Sequence, residues 1–250
     1  MARDRGDTGE VLLDGPHLVQ DALDSGVEIE AVVLAADAAL GRLATIAAAC
    51  AARGVRVVTA PDSILLMMSP VKQPVGVVAI ARLRGASVEA AIAAGTPQLL
   101  LLLDGVQDPG NVGAIIRAAE ACGATAVITG PRTADPFGWK ALRGSMGSAF
   151  RLPVASTLHL DEAIGAARAA GLRIFATVPR SGTPLTGADL IEPSAILLGG
   201  EGPGLPDELV ATVDETLTIP MQPPVESLNV AIAAALVLYE AARQRRHVAV

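Results

Sequence analysis

An α/β fold with a parallel sheet is predicted by three features of the sequence. Short runs of uniformly apolar residues, such as Leu99–Leu103, recur between stretches of helical periodicity. Such runs mark strands covered on both faces, as in parallel sheets. Hydrophobic residues make up 51% and aromatics only 2%, so the core must rest on Val, Leu, Ile and Ala. Lastly, the polar or glycine-rich segments Asp104–Asn111, Gly199–Gly204 and Pro220–Asn229 each follow an apolar run directly. Ligands of open parallel sheets bind beyond the carboxyl ends of the strands, so these segments are the candidate site.

The elements follow in order along the 250 residues. Val11–Leu13 reads as a strand and Pro16–Ser25 as a helix. Ala31–Ala35 is a strand, Ala38–Arg53 an Ala-rich helix and Val55–Ala60 a strand. Pro61 opens a further helix at a favoured first-turn position, and Val75–Arg82 is a strand. Together they form a small α/β/α domain over residues 1–83, followed by a partly helical linker over 84–95. The larger domain, 96–250, carries strands at Leu99–Leu103, Ala126–Thr129, Arg173–Thr177, Ala195–Leu198 and Thr216–Ile219. Its helices are expected at Asn111–Cys122, Asp161–Ala170 and Ser227–Arg246.

Composition sets outer limits. The net charge is −7, and residues 1–95 carry 8 Lys/Arg against 11 Asp/Glu while residues 96–250 carry 11 against 15. Neither half is a basic module, which argues mildly against nucleic acid. Locally the balance reverses: residues 131–151 hold Arg132, Lys140, Arg143 and Arg151 against Asp135 alone. That segment is the candidate phosphate-facing patch. Cys50 and Cys122 lie in Ala-rich helical stretches with no metal-ligand spacing, so no metal is expected. His17, His159 and His247 fall outside the three segments. The start Met1–Glu10 is too charged for a secretory signal, and the uncharged stretch Ser227–Tyr239 is too short to span a bilayer. A soluble, cytoplasmic protein is expected.

Each segment has its own chemistry. In Asp108-Pro109-Gly110-Asn111-Val112-Gly113, Pro-Gly makes a turn and Asn111 is placed to cap the next helix. Arg117 lies roughly 9 Å further along that helix, at about 1.5 Å per residue, within reach of the strand ends. In Gly199-Gly200-Glu201-Gly202-Pro203-Gly204 the glycines allow the backbone close to a ligand, and Glu201 places one carboxylate in the turn. The spacing is not a dinucleotide fingerprint. In Ile219-Pro220-Met221 through Glu226-Ser227-Leu228-Asn229, Ser227 suits the N-cap of the terminal helix and Asn229 is unexpected in a first turn. Arg243, Arg245 and Arg246 complement the negative end of that helix.

In order and spacing over residues 98–246, these segments resemble the SpoU-type (TrmH-like) RNA 2′-O-ribose methyltransferases of the knotted methyltransferase superfamily. Asp108–Gly113 with Arg117 resembles the first motif, Gly199–Gly202 the second, and Ile219–Met221 with Glu226–Val230 the third. Arg143–Gly147 and Leu152-Pro153 are similar to the middle region. Gly15–Val19, Ser69-Pro70 and Gly76–Val78 resemble, more loosely, the family's ribosomal-protein-like substrate-binding domain. Asp14 stands where that family more often has Glu, and Gly200 where it often has Asn.

The resemblance implies a C-terminal trefoil knot, which sequence physics would not suggest, and a homodimer. It implies S-adenosylmethionine as cofactor, bound at Thr177, Gly199, Gly200, Ile219, Met221 and Leu228. It assigns activation of the ribose hydroxyl to Arg117, with Asn111, Glu201, Ser227 and Asn229 around it. Arginine is almost never deprotonated, so a clamp stabilising developing alkoxide fits it better than a base. RNA is the implied substrate, ribosomal rather than transfer RNA because of the added N-terminal domain. Two other readings are open. A dinucleotide enzyme is disfavoured by the carboxylates of Asp104 and Asp108 where phosphate would sit. A non-catalytic RNA-binding module with the same fold is disfavoured by the presence of Arg117 and an intact third motif.

Overall fold

The computed structural model describes residues 9–36, 41–202 and 204–248. The N-terminal domain holds β1 (Glu10–Asp14), α1 (Pro16–Asp24), β2 (Glu28–Ala35), α2 (Arg42–Ala52), β3 (Arg56–Ala60), α3 (Asp62–Met68) and β4 (Val77–Arg82). The start expected for the second helix, at residues 38–40, lies outside the described residues. Pro61 is the N-cap of α3 rather than its first residue. The sheet order is β1-β4-β2-β3, with β2 and β3 parallel and β4 antiparallel to both of its neighbours. On one face Leu13, Val32, Leu34 and Val77 pack with Leu18 and Val19 of α1 and Ile46 and Cys50 of α2. The other face is covered only around Leu65 of α3, which meets Ala35 and Val78.

The segment 84–95 contains α4 (Val88–Ile92), capped by Ser87, with Ala91 and Ile92 buried against the second sheet. The larger domain continues with β5 (Leu99–Asp104), α5 (Pro109–Ala121), β6 (Ala126–Thr129), α6 (Trp139–Ser145), α7 (Ser148–Arg151), β7 (Val154–Ser156), α8 (Leu160–Ala169) and β8 (Arg173–Thr177). It ends with β9 (Thr183–Pro184), β10 (Ser194–Gly199), α9 (Asp207–Val210), β11 (Glu215–Thr218) and α10 (Val230–Val248). All seven strands are parallel, in the order β7-β6-β5-β10-β8-β11-β9. The short edge strands β7 and β9 escape the sequence pattern because three and two residues make no apolar run.

The five leucines of β5 show why the run is uniform. Leu99, Leu101 and Leu103 face α5, α6 and α10, while Leu100 and Leu102 face α4 and α8. Both faces need an apolar side chain, and each fully buried leucine contributes about 1.5–3 kcal/mol. Part of the basic segment 131–151 is helical: α6 buries Ala141, Leu142 and Ser145. It lies so close to α5 that a Cβ on Gly113 would come within 2.3 Å of the Ala141 carbonyl oxygen. Arg245 does more than complement the end of α10. Its guanidinium donates to the carbonyls of Leu190, Pro97, Gln98 and Glu192, tying the helix to the amino ends of β5 and β10. Burial pulls its pKa down from the ordinary arginine value.

The two domains share one core. Val11 and Leu13 of β1 belong to the same apolar cluster as Phe137, Leu142 and Ala149. At the junction Arg151 donates to both carboxylate oxygens of Glu120, at 2.6 and 2.8 Å. That bond holds the Glu120 pKa below its usual range, while burial raises that of neighbouring Asp21 on α1.

Candidate active site

The loops after β5, β10 and β11 meet at the carboxyl edge of the sheet. The first is set by Asp108, not Asn111. Asp108 is the N-cap of α5, and its Oδ1 accepts from the backbone N–H groups of Gly110 (2.6 Å) and Asn111 (3.1 Å). Proline at the first helical position has no N–H to satisfy, so the aspartate cap suffices. The expectation of an Asn111 cap is thereby overturned. The Asn111 side chain, freed from capping, donates through Nδ2 to Oε1 of Glu201.

The third loop shows the same shift. Helix α10 begins at Val230, so Ser227 precedes it and is not its cap. Asn229 caps it: Oδ1 accepts from the N–H groups of Ala231 (2.9 Å) and Ile232 (3.3 Å). Its Nδ2 donates to Oδ1 of Asn111 at 3.2 Å. Asn229, unexpected within a helix, is natural at an N-cap. The result is a polar relay, Asn229 to Asn111 to Glu201, that links the three loops. Glu201 closes it by accepting from the Gln107 N–H at 3.3 Å.

Gly200 is fixed by packing. Its N–H donates to the Asp104 carbonyl at 2.8 Å, and a Cβ there would fall 1.7 Å from the Gly105 oxygen. No side chain fits, so the second loop lies directly on the first.

A cavity of about 530 Å³ opens between these loops and α10. All six positions expected for cofactor binding line it: Thr177, Gly199, Gly200, Ile219, Met221 and Leu228. Glu201, Ser227 and Asn229 line it as well. Val178 and Pro179 after β8, Asp207 of α9 and Val237 of α10 also contribute. Adjacency to Thr177 was a signal for the first two; nothing in the sequence marked Asp207. Among the described lining residues the charged ones are Glu201 and Asp207, and none is cationic. The size is that of a small-molecule site, roughly 300–1,000 Å³. Apolar walls suit a nucleobase and a thioether chain, and the two carboxylates complement a cationic ligand. S-adenosylmethionine, with its sulfonium and ammonium groups, fits this lining. The phosphates of a dinucleotide do not.

Arg117 and Asn111 do not line the cavity. Arg117 lies on the exposed stripe of α5 with Gly110, Ala114 and Ala121. The four cations of residues 131–151 do not act as a unit. Arg132 pairs with buried Asp104 at 3.1 Å, and Arg151 pairs with Glu120 at the other end of α5. Lys140 and Arg143 are exposed and form no ion pair among the described residues.

The fold and this geometry have counterparts among known proteins. The SpoU rRNA Methylase family profile matches residues 98–239, and the profile for RNA 2′-O ribose methyltransferase substrate binding matches residues 12–84. A 23S rRNA (guanosine(2553)-2′-O)-methyltransferase, RlmP, of Bacillus subtilis is 32% identical over 95% of this chain and 90% of its own length. The SpoU methyltransferase AviRb from Streptomyces viridochromogenes, solved with AdoMet, superimposes with a TM-score of 0.85 at 30% identity, covering 99% of this chain and 95% of AviRb. An AdoMet-bound rRNA methyltransferase from Sinorhizobium meliloti gives 0.84 at 33% identity, over 97% and 89% of the two chains. With its seven-stranded parallel sheet, its relay of loops and an acid-lined cavity at the sheet edge, the chain belongs to the SpoU rRNA methylase family.

Proposed function

We propose that this protein transfers the methyl group of S-adenosylmethionine to a ribose 2′-hydroxyl of ribosomal RNA, of the 23S type. The observation that carries the reading is the acid-lined cavity closed by the Asn229–Asn111–Glu201 relay. The cofactor supplies an electrophilic methyl group on sulfur; the protein must position the acceptor and stabilise charge. Thr177, Gly199, Gly200, Ile219, Met221 and Leu228 hold the cofactor, and Glu201 orders the loop over it. Ser227 and Asn229 orient the nucleoside. Arg117 clamps a phosphate and the ribose oxygen, stabilising the alkoxide as it forms. A nearby phosphate takes the proton. Lys140 and Arg143 contact RNA phosphates; Arg132 and Arg151, each already paired, contribute less.

Arg117 lies outside the cavity of its own chain, which supports a homodimer in which it serves the partner's site. The exposed apolar residues Ile232, Leu236 and Tyr239 recur along α10, which packs on α5, and they form the face that a second copy covers. Leu236→Glu is expected to yield monomers by light scattering. The C-terminal region is read as the trefoil knot of the family, a reading supported by the loops after β8, β10 and β11 lining one cavity with α10. Among the described residues no helix is long and apolar enough to cross a membrane, and action in the cytoplasm follows from a ribosomal substrate.

The test is transfer of tritiated methyl from S-adenosylmethionine to rRNA lacking the modification, with the labelled nucleoside identified after digestion. Wild-type protein labels a 2′-O-methyl nucleoside. Arg117→Ala retains cofactor binding by calorimetry and loses roughly a hundredfold or more in rate, the scale of a lost charge-stabilising donor. Near wild-type rates for Arg117→Ala would remove its assigned role.

A further inference from the structure

Trp139 is the only tryptophan in a chain of 2% aromatic residues. A core short of aromatics has no evident need for one at the surface. Yet Trp139 begins α6 half-buried, beside the exposed Lys140 and one turn from the exposed Arg143. The Lys140 Nζ sits 5.6 Å from the indole centroid. The indole N–H makes no hydrogen bond among the described residues. A flat ring, a free donor and two cations thus share the outer side of a single short helix.

The position of α6 gives this cluster its meaning. On one side the helix packs against α5, with Gly144 on the Gly110 carbonyl beside Asn111. On the other side it packs against β1 of the N-terminal domain. Helix α6 thus lies between the N-terminal domain and α5, the helix that carries Arg117.

We propose that Trp139 stacks an unpaired base of the RNA substrate next to the target nucleotide, while Lys140 and Arg143 hold the adjoining phosphates. The inference rests on the RNA methyltransferase reading above. Base stacking on an aromatic ring accepts any base but requires it to be out of a duplex. The substrate class is therefore a single-stranded or looped RNA segment rather than a continuous helix. Arginine one turn away favours the same ligand, since guanidinium pairs with phosphate in fork geometry.

The sole tryptophan makes the test direct. Titrating a short single-stranded RNA of mixed sequence into wild-type protein should quench the indole emission, and the corresponding duplex should quench it much less. In steady-state assays on rRNA, Trp139→Ala should raise KM for RNA about tenfold, in line with the loss of a single stacked base. Its kcat and its affinity for S-adenosylmethionine should be unchanged. Trp139→Phe should recover most of the KM, and Trp139→Leu should not. Equal quenching by duplex and single strand, or an unaltered KM for Trp139→Ala, overturns the proposal. An emission change that follows protein concentration without RNA also overturns it, because Trp139 then faces a second copy. If wild-type protein methylates no RNA, the functional reading fails, while the quenching comparison still decides the role of Trp139.

Discussion

The two sheets of this protein are built on opposite plans. The seven-stranded sheet is clothed on both faces, and every residue of β5 and β6 is buried. The four-stranded sheet of the N-terminal domain is clothed on one face by α1 and α2. Its other face has only the short α3, and Val58, Ile64, Met67 and Ile80 are exposed there. The contrast shows where rigidity is needed. The carboxyl edge of the covered sheet must hold three loops in hydrogen-bonding register. The N-terminal domain only has to present a surface, and it borrows part of its core from the junction with α6 and α7.

That contrast can be tested by substitution, beginning with the largest effect. Leu101→Ala, in the central strand of the covered sheet, is expected to destabilise the protein by about 2–5 kcal/mol in denaturant titration. Gly200→Ala should cost about 1–3 kcal/mol through overpacking against Gly105, and cofactor binding measured by calorimetry should fall more steeply than stability, because the loop over the cavity must move. A third experiment uses pH. Hydrogen bonds from Arg243, then from Gln244, depress the pKa of Glu240 to about 2. A carboxylate with a lowered folded-state pKa stabilises fully above its unfolded value, near about 4.3. The contribution of Glu240 is lost as the pH falls from there towards about 2. Thermal midpoints of wild type and Glu240→Gln should therefore converge on acidification through that window. The smallest effect is reserved for the half-covered sheet: Met67→Gln, at a residue 82% exposed, should change stability by less than about 0.5 kcal/mol. A large loss there would mean that the open face is packed after all, and the contrast between the sheets would fail.

The fold was legible where periodicity was strong. Leu99–Leu103 and Arg173–Thr177 read as strands because both faces demanded apolar side chains. The helices at the ends of the two large cores read from their apolar stripes. Hidden were β7 and β9, too short for a pattern, and α6, whose basic residues read as a phosphate-facing patch although Ala141 and Leu142 carry the helix into the core. The site was legible as three loops and a set of residues. Its wiring was not. Asn111 and Ser227 have the right chemistry to cap a helix, and so do Asp108 and Asn229. All four satisfy the local rule, and only the tertiary arrangement chose between them.

Sequence alone determined the covered parallel sheet and the placement of the polar segments at strand ends. Each follows from local pattern, because strand burial and loop position are set by residues near one another in the chain. The tertiary structure decided that Asn111 and Asn229 reach across to other loops and how Arg132 and Arg151 are neutralised. Those outcomes depend on partners about 28 to 118 residues away, and a hydrogen bond or ion pair at such separation forms only when packing brings the two side chains within about 3 Å.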